Sequence, residues 1–221
     1  MNTSFKPLAR ALLIAGVIVS AQPLHADCRW WQFGHCKDEE RIEGLPSDAP
    51  REGTLITIDV SSNQVYLFEA GKMVRKAPAA TGSGKVLKKA GKTWLFHTPR
   101  GRMKVLRKME DPVWRKPDWA FIEAGERVPP PDSPKRYVRG KLGRYALDLG
   151  DGILIHGTDD PDSIGQSVSH GCVRVPDEML EQIYKAAKVG TDVYIFESQP
   201  DLTRAASKGV NDLEVEAKTA P

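Results

Sequence analysis

One cysteine of the sequence lies among reactive and polar side chains. In the stretch VSHGCVRVP, from Val168 to Pro176, Cys172 follows His170 closely and precedes Arg174 by two residues. A buried structural cysteine acts as a small apolar residue, a role that these polar neighbours disfavour. Three roles are therefore open for Cys172 from this pattern: half of a disulfide, a metal ligand or a nucleophile.

A nucleophilic cysteine needs a base, donors for the oxyanion and a group that orients the base. His156 is the candidate base, because the GTDDPDSIGQSVS stretch after it is rich in loop-forming residues and can return the chain to Cys172. The backbone N–H groups of Gly171 and Cys172 are the candidate oxyanion donors. A helix predicted to begin near Pro176 would lower the thiol pKa. Arg174 suits bidentate recognition of a substrate carboxylate, and a structural ion pair is its alternative role.

Zinc binding is the competing hypothesis for the same side chains. His156, His170 and Cys172 are suitable ligand types, and catalytic zinc keeps three protein ligands. Their spacing matches no common zinc pattern, so the sequence predicts no metal. The hydrolase motifs G-x-S-x-G, S-x-x-K and H-E-x-x-H are absent. His97 is interpreted as a loop residue with no part in catalysis.

The first residues predict the compartment. Residues 1–26 combine a basic start with the apolar run ALLIAGVIVSA, which is too short to span a bilayer, a task that takes about 20 residues. We expect a secretory signal peptide cleaved after Ala26, with an uncleaved anchor as the alternative. Outside the cytoplasm thiols tend to pair. Cys28 and Cys36 are therefore predicted to form a local disulfide, which leaves Cys172 as the free thiol.

Charge excludes some partners. The formal net charge is +3, and removal of the signal peptide with its Lys6 and Arg10 leaves +1, so no nucleic-acid binding is predicted. From Lys72 to Lys108 the chain has no acidic residue. This basic stretch is either a solvated surface or a face that attracts an anionic polymer such as a cell wall.

The remaining pattern predicts a mostly β domain with one prominent helix. Residues 27–52 are predicted as a linker, 53–197 as the folded domain and 198–221 as a disordered tail. TLITIDV, QVYLFE and the segment after Gly71 predict an antiparallel meander. VPPPDSP predicts an exposed loop. GILIH predicts a buried strand that ends at His156, VPDEMLEQIYKAAKVG a helix that stops at Gly190, and TDVYIF a last strand.

A family resemblance rests on two paired motifs. IHGT followed by SHGCVRV resembles the signature of the L,D-transpeptidases, whose catalytic domain is of the YkuD type. LITIDVSSNQVYLFEAGKMV, TPRGRMKV and RYALDLGDGILIHGT are also typical of this family, so the resemblance covers Gly53 to Glu197. The chain departs from the family where it reads RGKLG before the RYAL strand, and it shows no separate wall-binding repeat. These departures bear on acceptor choice and on docking to the wall.

The resemblance implies a β-sandwich catalytic domain that acts on peptidoglycan outside the cytoplasm, in the periplasm or its equivalent. It implies that Cys172 is the nucleophile and His156 the base. The Gly157 carbonyl would orient the imidazole, and the Gly171 amide would donate to the oxyanion. Three further residues would contact the substrate: Ser169, His170 and Arg174.

The implied reaction forms a thioester with a tetrapeptide stem and expels D-alanine. An amine of a neighbouring stem, or a lipoprotein lysine, then takes the acyl group. Carbapenem β-lactams are expected to acylate the same thiol, and no cofactor and no membrane span of the mature chain are implied. The alternatives are an L,D-endopeptidase or carboxypeptidase and a non-catalytic wall-binding module.

Overall fold

The computed structural model describes residues 42–89 and 91–198. The predicted signal peptide, the predicted Cys28–Cys36 disulfide and the predicted tail beyond Ser198 lie outside these residues. No helix in the described ranges is long and apolar enough to cross a membrane.

Two sheets dominate the domain. The first sheet has five strands in the order β3-β2-β1-β15-β7, with these bounds: β1 Thr54–Asp59, β2 Gln64–Glu69, β3 Lys72–Pro78, β7 Gly101–Lys104 and β15 Asp192–Phe196. The second sheet has four strands in the order β14-β12-β11-β8, with these bounds: β8 Arg107–Glu110, β11 Tyr145–Gly150, β12 Ile153–His156 and β14 Val173–Arg174.

Smaller elements complete the described chain. They are β4 Thr81–Gly82, β5 Val86–Lys89, β6 Lys92–Leu95, β9 Trp114–Arg115, α1 Asp118–Glu123, β10 Tyr137–Val138, β13 Ser167–Ser169 and α2 Asp177–Ala186, with 3₁₀ turns at Pro134–Arg136 and Pro161–Ser163. β4 pairs with β13, β5 with β6 and β9 with β10. We call β5, β6, β9, α1 and β10 the peripheral elements.

The predicted meander of β1, β2 and β3 is confirmed by two antiparallel pairings. The predicted last strand is also present, but it pairs parallel to β1 and antiparallel to β7, which places it inside the sheet. Ser198 follows this strand and donates to the buried carboxylate of Asp59. Burial opposes ionisation there, but the hydrogen bonds from Ser198 and from Ser61 and Ser62 lower the pKa of Asp59 to about 2.

The main core lies between the two sheets and α2. Alternate side chains of β1, β12 and β15 enter it because successive strand residues point to opposite faces. The helix contributes Met179, Leu180 and Ile183, all at most 1% exposed. Full burial of one such side chain contributes roughly 1.5–3 kcal/mol to the free energy of unfolding. The predicted fold, mostly β with one prominent helix, is confirmed.

The helix boundaries differ slightly from the prediction. Pro176 is the N-cap residue and not the first helical one, and the helix ends at Ala186, before Gly190. An Ala187 amide bonded to Ile183 closes the last turn, so the chain leaves the helix before the glycine.

Residues 42–50, which lie in the stretch predicted as linker, pack on the outer face of the first sheet. Leu45 and Ala49 are buried there against Leu55, Phe68 and neighbouring rings. The Tyr194 hydroxyl donates to the carbonyl oxygen of Asp48 at 3.2 Å. Apolar burial therefore begins about ten residues before the first strand.

Candidate active site

The pairing of β12 with β14 brings the predicted base and nucleophile to one face of the second sheet. The strands are parallel, with Ile155 opposite Val173 and His156 opposite Arg174. Ile155 and Val173 are fully buried in the core, so the alternating positions 154, 156, 172 and 174 share the other face. The parallel pairing of β12 with β14, which the sequence did not predict, therefore brings the IHGT and SHGCVRV motifs together.

His156 is buried and neutral at physiological pH. Its ring is 5% exposed, and Nδ1 lies 2.5 Å from the carbonyl oxygen of Gly157. Burial lowers the pKa of His156 to about 4 against the opposing effect of this hydrogen bond, and the charge of Arg174 lowers it further. Because a carbonyl only accepts, Nδ1 carries the proton and Nε2 is free to accept one.

Close packing fixes the Gly157 carbonyl. The Gly157 amide donates to the Leu142 carbonyl at 2.9 Å. A Cβ at position 157 would lie 3.1 Å from both Gly143 Cα and Asp177 Oδ1, so only glycine fits without displacement. A fixed Gly157 carbonyl would orient the imidazole through its hydrogen bond with His156 Nδ1.

The Cys172 thiol is neutral at rest. Burial raises its pKa, while a hydrogen bond from the Leu154 backbone and the charge of Arg174 lower it in part. Sγ donates to the carbonyl oxygen of Gly152 at 3.4 Å. This net rise is opposite to the lowering expected from the following helix, because burial is the largest effect on the thiol and α2 begins only at Asp177, five residues after Cys172.

Ser169 organises the nucleophile loop, residues 169–172. Its hydroxyl donates to the Cys172 carbonyl at 2.6 Å and accepts from the Gly171 amide at 3.1 Å. Ser169 is only 1% exposed, so the geometry gives it a positioning role in place of the predicted substrate contact. The Gly171 amide, predicted as an oxyanion donor, is already occupied by the serine.

A second set of contacts holds the same loop from the β6–β7 connection. Thr98 Oγ1 donates to the Gly171 carbonyl at 2.9 Å and accepts from the Gly82 amide at 2.8 Å. Gly171 has φ 125°, and a Cβ there would lie 2.9 Å from the His97 carbonyl oxygen. A cleft of about 420 Å³ lies beside these contacts. The side chain of His97 is exposed, as expected of a loop residue.

His170 contacts the peripheral elements. Its ring stacks on Trp119 at 3.9 Å between centroids and lies edge-on to Phe96 at 4.4 Å. Its Nε2 is 2.7 Å from Glu123 Oε2. These contacts of Trp119, Glu123 and Phe96 were not predicted, because no motif links the three residues to SHGC.

Arg174 forms the ion pair that was its alternative role. Nη1 lies 3.5 Å from Asp160 Oδ2, in the loop between β12 and β13. The arginine side chain is 20% exposed and the aspartate side chain 56%. Because the aspartate is largely exposed and the separation is long, this pair contributes little to stability.

The residues of the zinc hypothesis do not form a metal site. Within residues 42–89 and 91–198, no group of three or more His, Cys, Asp or Glu side chains is arranged to hold a metal ion. His156 is tied to Gly157, whereas His170 points to Glu123 on α1.

Comparison with known families identifies the domain. The family model of the L,D-transpeptidase catalytic domain, YkuD, matches residues 53–195. The chain belongs to this family. The predicted resemblance is confirmed, and the matched range contains every candidate site residue described above.

Several L,D-transpeptidases are similar to this chain. The Escherichia coli K12 protein named "Probable L,D-transpeptidase YbiS" is 28% identical over 214 residues, which cover 84% of this chain and 65% of that protein. The Salmonella typhimurium protein named "Probable L,D-transpeptidase ErfK/SrfK" is 30% identical over 173 residues, covering 71% of this chain and 50% of that protein. The chain thus spans about half to two thirds of the length of these relatives.

A solved structure supports the fold. The crystal structure of an L,D-transpeptidase from Xylanimonas cellulosilytica superposes with a TM-score of 0.51 at 22% identity, over 69% of this chain and 64% of that one. At this identity the likeness establishes the shared architecture of the sheets.

Proposed function

We propose that this chain is a peptidoglycan L,D-transpeptidase that uses Cys172 as its nucleophile and His156 as its base. The observation that supports the proposal is the β12–β14 register, in which His156 lies opposite Arg174. Cys172 is two residues before Arg174, so strand alternation predicts that its side chain shares this sheet face. The family assignment supports a peptidoglycan-modifying enzyme. A neutral Cys172 thiol and a neutral His156 imidazole, whose pKa values are raised and lowered by burial, are the protonation states that this chemistry requires.

The first half-reaction forms a thioester. His156 Nε2 takes the Cys172 proton while Sγ attacks the carbonyl carbon of the third residue of a tetrapeptide stem. The resulting oxyanion is stabilised by the Cys172 amide, and the Gly171 amide can join it if it leaves Ser169. The C–N bond then breaks, and the imidazolium returns its proton to the departing amine of D-alanine.

The second half-reaction restores the thiol. A side-chain amine of another stem attacks the thioester carbonyl, loses a proton to His156 and forms an amide, while the sulfur leaves and is reprotonated. A 3–3 cross-link results from a stem amine, and protein anchoring results from a lipoprotein lysine. Arg174, beside the reacting face, is positioned to bind a stem carboxylate by exchanging Asp160.

The proposal includes location and inhibition. Export by the signal peptide at residues 1–26 would place the enzyme outside the cytoplasm, where its polymer substrate lies. A carbapenem presents a strained carbonyl to the same thiol, so a covalent adduct on Cys172 is expected by the same attack. The residues assigned here require no cofactor for these steps.

Mass spectrometry of disaccharide-tetrapeptides incubated with the mature protein tests the proposal. We expect cross-linked dimer and released D-alanine from the native chain, and neither product from Cys172→Ala. Hydrolysed tripeptide without dimer would instead make water the acceptor and the chain a carboxypeptidase. Unchanged substrate from a folded native chain would favour a wall-binding module and overturn the proposal.

A further inference from the structure

The peripheral elements enclose a cleft that the reaction described above does not use. Its volume is about 430 Å³, within the size range of small-ligand sites. Trp94 on β6 supplies an aromatic surface, and Pro117 and Pro131 add apolar ones. Four cations and one carboxylate complete the lining: Lys92, Arg115, Lys116, Arg136 and Asp118.

Two of these charged residues form the frame of the cleft. The Arg136 side chain is 7% exposed and donates to three backbone carbonyls and to Asp118 Oδ1 at 2.8 Å. Hydrogen bonds from Arg136 and Lys92 lower the pKa of Asp118, which stays ionised. The only carboxylate in the lining is thus already shared between two cations.

The remaining positive charge faces the cleft without full compensation. Lys116 pairs with Glu126 at 3.1 Å, outside the lining. Arg115 donates to the neutral carbonyl of Pro131 at 2.9 Å, and no carboxylate among the described residues pairs with it. Four cations against Asp118 and Glu126 leave an excess of positive charge, which suits an anionic ligand.

Helix α1 links this cleft to the nucleophile loop. Asp118, at its first position, lines the cleft, while Trp119 and Glu123 contact His170, two residues before Cys172. A six-residue helix is about 9 Å long at 1.5 Å per residue. That length corresponds to about three residues of an extended peptide.

We infer that this cleft binds a carboxylate of a wall stem peptide, an inference that rests on the proposed function. The Arg115 guanidinium and the Lys92 ammonium hold the carboxylate, and Trp94 packs against the aliphatic part of the peptide. Lys92 donates to Asp118 at 3.0 Å, and two of its three N–H groups remain for the ligand. The acceptor amine is itself a cation, so the cleft repels it and leaves it free to reach the thioester. Donor and acceptor stems both carry carboxylates, and the kinetic experiment below identifies which of the two stems the cleft binds.

Binding to an inert protein tests the inference without depending on turnover. Isothermal titration uses Cys172→Ala as background and a disaccharide-tetrapeptide with free or amidated carboxylates as probe. We expect Lys92→Ala with Arg115→Ala to weaken binding of the free-carboxylate probe about tenfold or more, and amidation to cause no further loss in that variant. The Lys92 and Arg115 side chains are exposed, so the double variant should fold, and a thermal unfolding midpoint equal to that of the Cys172→Ala background verifies this.

The control removes the same two charges elsewhere. Lys72→Ala with Arg75→Ala neutralises two exposed residues of β3, and we expect unchanged binding. An equal loss of affinity in this control would show that the effect depends only on the net charge of the protein, and it would overturn the inference. Unchanged affinity in the cleft variant would also overturn the inference. A third contrary result is displacement of the probe by a phosphate polymer while amidation of the probe has no effect on affinity.

Kinetics on the chain with intact Cys172 identifies the stem. Slower D-alanine release without acceptor indicates that the cleft holds the donor, and a slower transfer step from the preformed thioester alone indicates the acceptor. If peptide binds through the cleft but no D-alanine is released, the proposed reaction fails and the carboxylate site stands. If D-alanine is released normally with no cleft effect in any assay, only the cleft inference fails.

Discussion

The two histidines near the thiol occupy opposite environments. His156 ends a core strand, is buried, and is held by a backbone carbonyl whose own position is fixed by close glycine packing. His170 is partly exposed and is held by the side chains of Trp119 and Glu123 on the peripheral helix. The sheet therefore fixes the proposed base through its backbone, whereas side-chain contacts connect the 169–172 loop to helix α1, which also lines the proposed carboxylate cleft.

The difference indicates a division of roles. The hydrogen bond that holds His156 uses a backbone carbonyl and does not depend on the identity of a partner side chain, whereas the contacts of His170 depend on Trp119 and Glu123. We expect variants on the His156 side to affect the chemical step most and variants on the His170 side to affect substrate binding.

Replacing each histidine by glutamine gives the largest contrast. His156→Gln removes the proposed base, and we expect D-alanine release to fall by roughly 10²–10⁴-fold, the range for a general base. His170→Gln keeps a polar group near Glu123, and we expect less than about a tenfold loss. Stopped assays of D-alanine on both purified variants test the comparison. Equal losses would show that the two environments do not separate the roles.

The pH dependence of the thiol distinguishes a neutral pair from an ion pair. Because the pKa of His156 is about 4, the base stays unprotonated above that pH, and the rate of D-alanine release should fall only as pH drops through 4. Burial raises the pKa of Cys172, so alkylation by iodoacetamide should keep rising with alkaline pH. A plateau of alkylation from pH 5 upward would indicate a resting thiolate–imidazolium pair and contradict this description.

Ser169→Ala tests the loop that carries the nucleophile. Loss of the hydroxyl leaves the Cys172 carbonyl and Gly171 amide without their partner, and we expect a loss of about 1–3 kcal/mol in the free energy of unfolding. A decrease of about tenfold in kcat/KM should accompany it. Ser167→Ala, on the same strand but exposed, is the control and should change stability by less than about 0.5 kcal/mol. Denaturant titration measures the free energy of unfolding of both variants. Equal losses in Ser169→Ala and Ser167→Ala would show that Ser169 has no special role in the loop.

Glu123→Gln is the smallest expected change. The substitution removes a partly exposed charge partner of His170 while the Trp119 stack remains, so we expect at most about a fivefold increase in KM with kcat unchanged. Glu69→Gln, exposed at the end of β2, serves as the matched control. A hundredfold drop in kcat would extend the chemical machinery to the peripheral helix.

Local pattern predicted the elements that are periodic or marked by a motif. The alternation of β1 and β2, the apolar face of α2 and the strand ending at His156 are all local in sequence. β7 and β8, four residues each and mostly polar, gave no such signal, although they belong to the two main sheets. Their pairing depends on neighbours elsewhere in the chain.

The site shows the same division. Cys172 and His156 could be proposed from residue type and spacing, but the contacts of Thr98, Trp119 and Glu123 depend on tertiary placement. The sign of the thiol pKa shift was mispredicted because burial, the larger effect, cannot be read from the neighbouring letters. For Ser169, membership of the site could be predicted from the motif, but the direction of its hydroxyl could not.

The position of β15 has a consequence for the order of folding. Its parallel pairing joins residues 55 and 192, almost the two ends of the domain, and it lies between β1 and β7. A growing chain cannot complete the first sheet, or close the core beneath α2, until this last strand has been made. Such long-range closure slows folding. A domain that closes only with its last strand therefore stays open through most of its own synthesis.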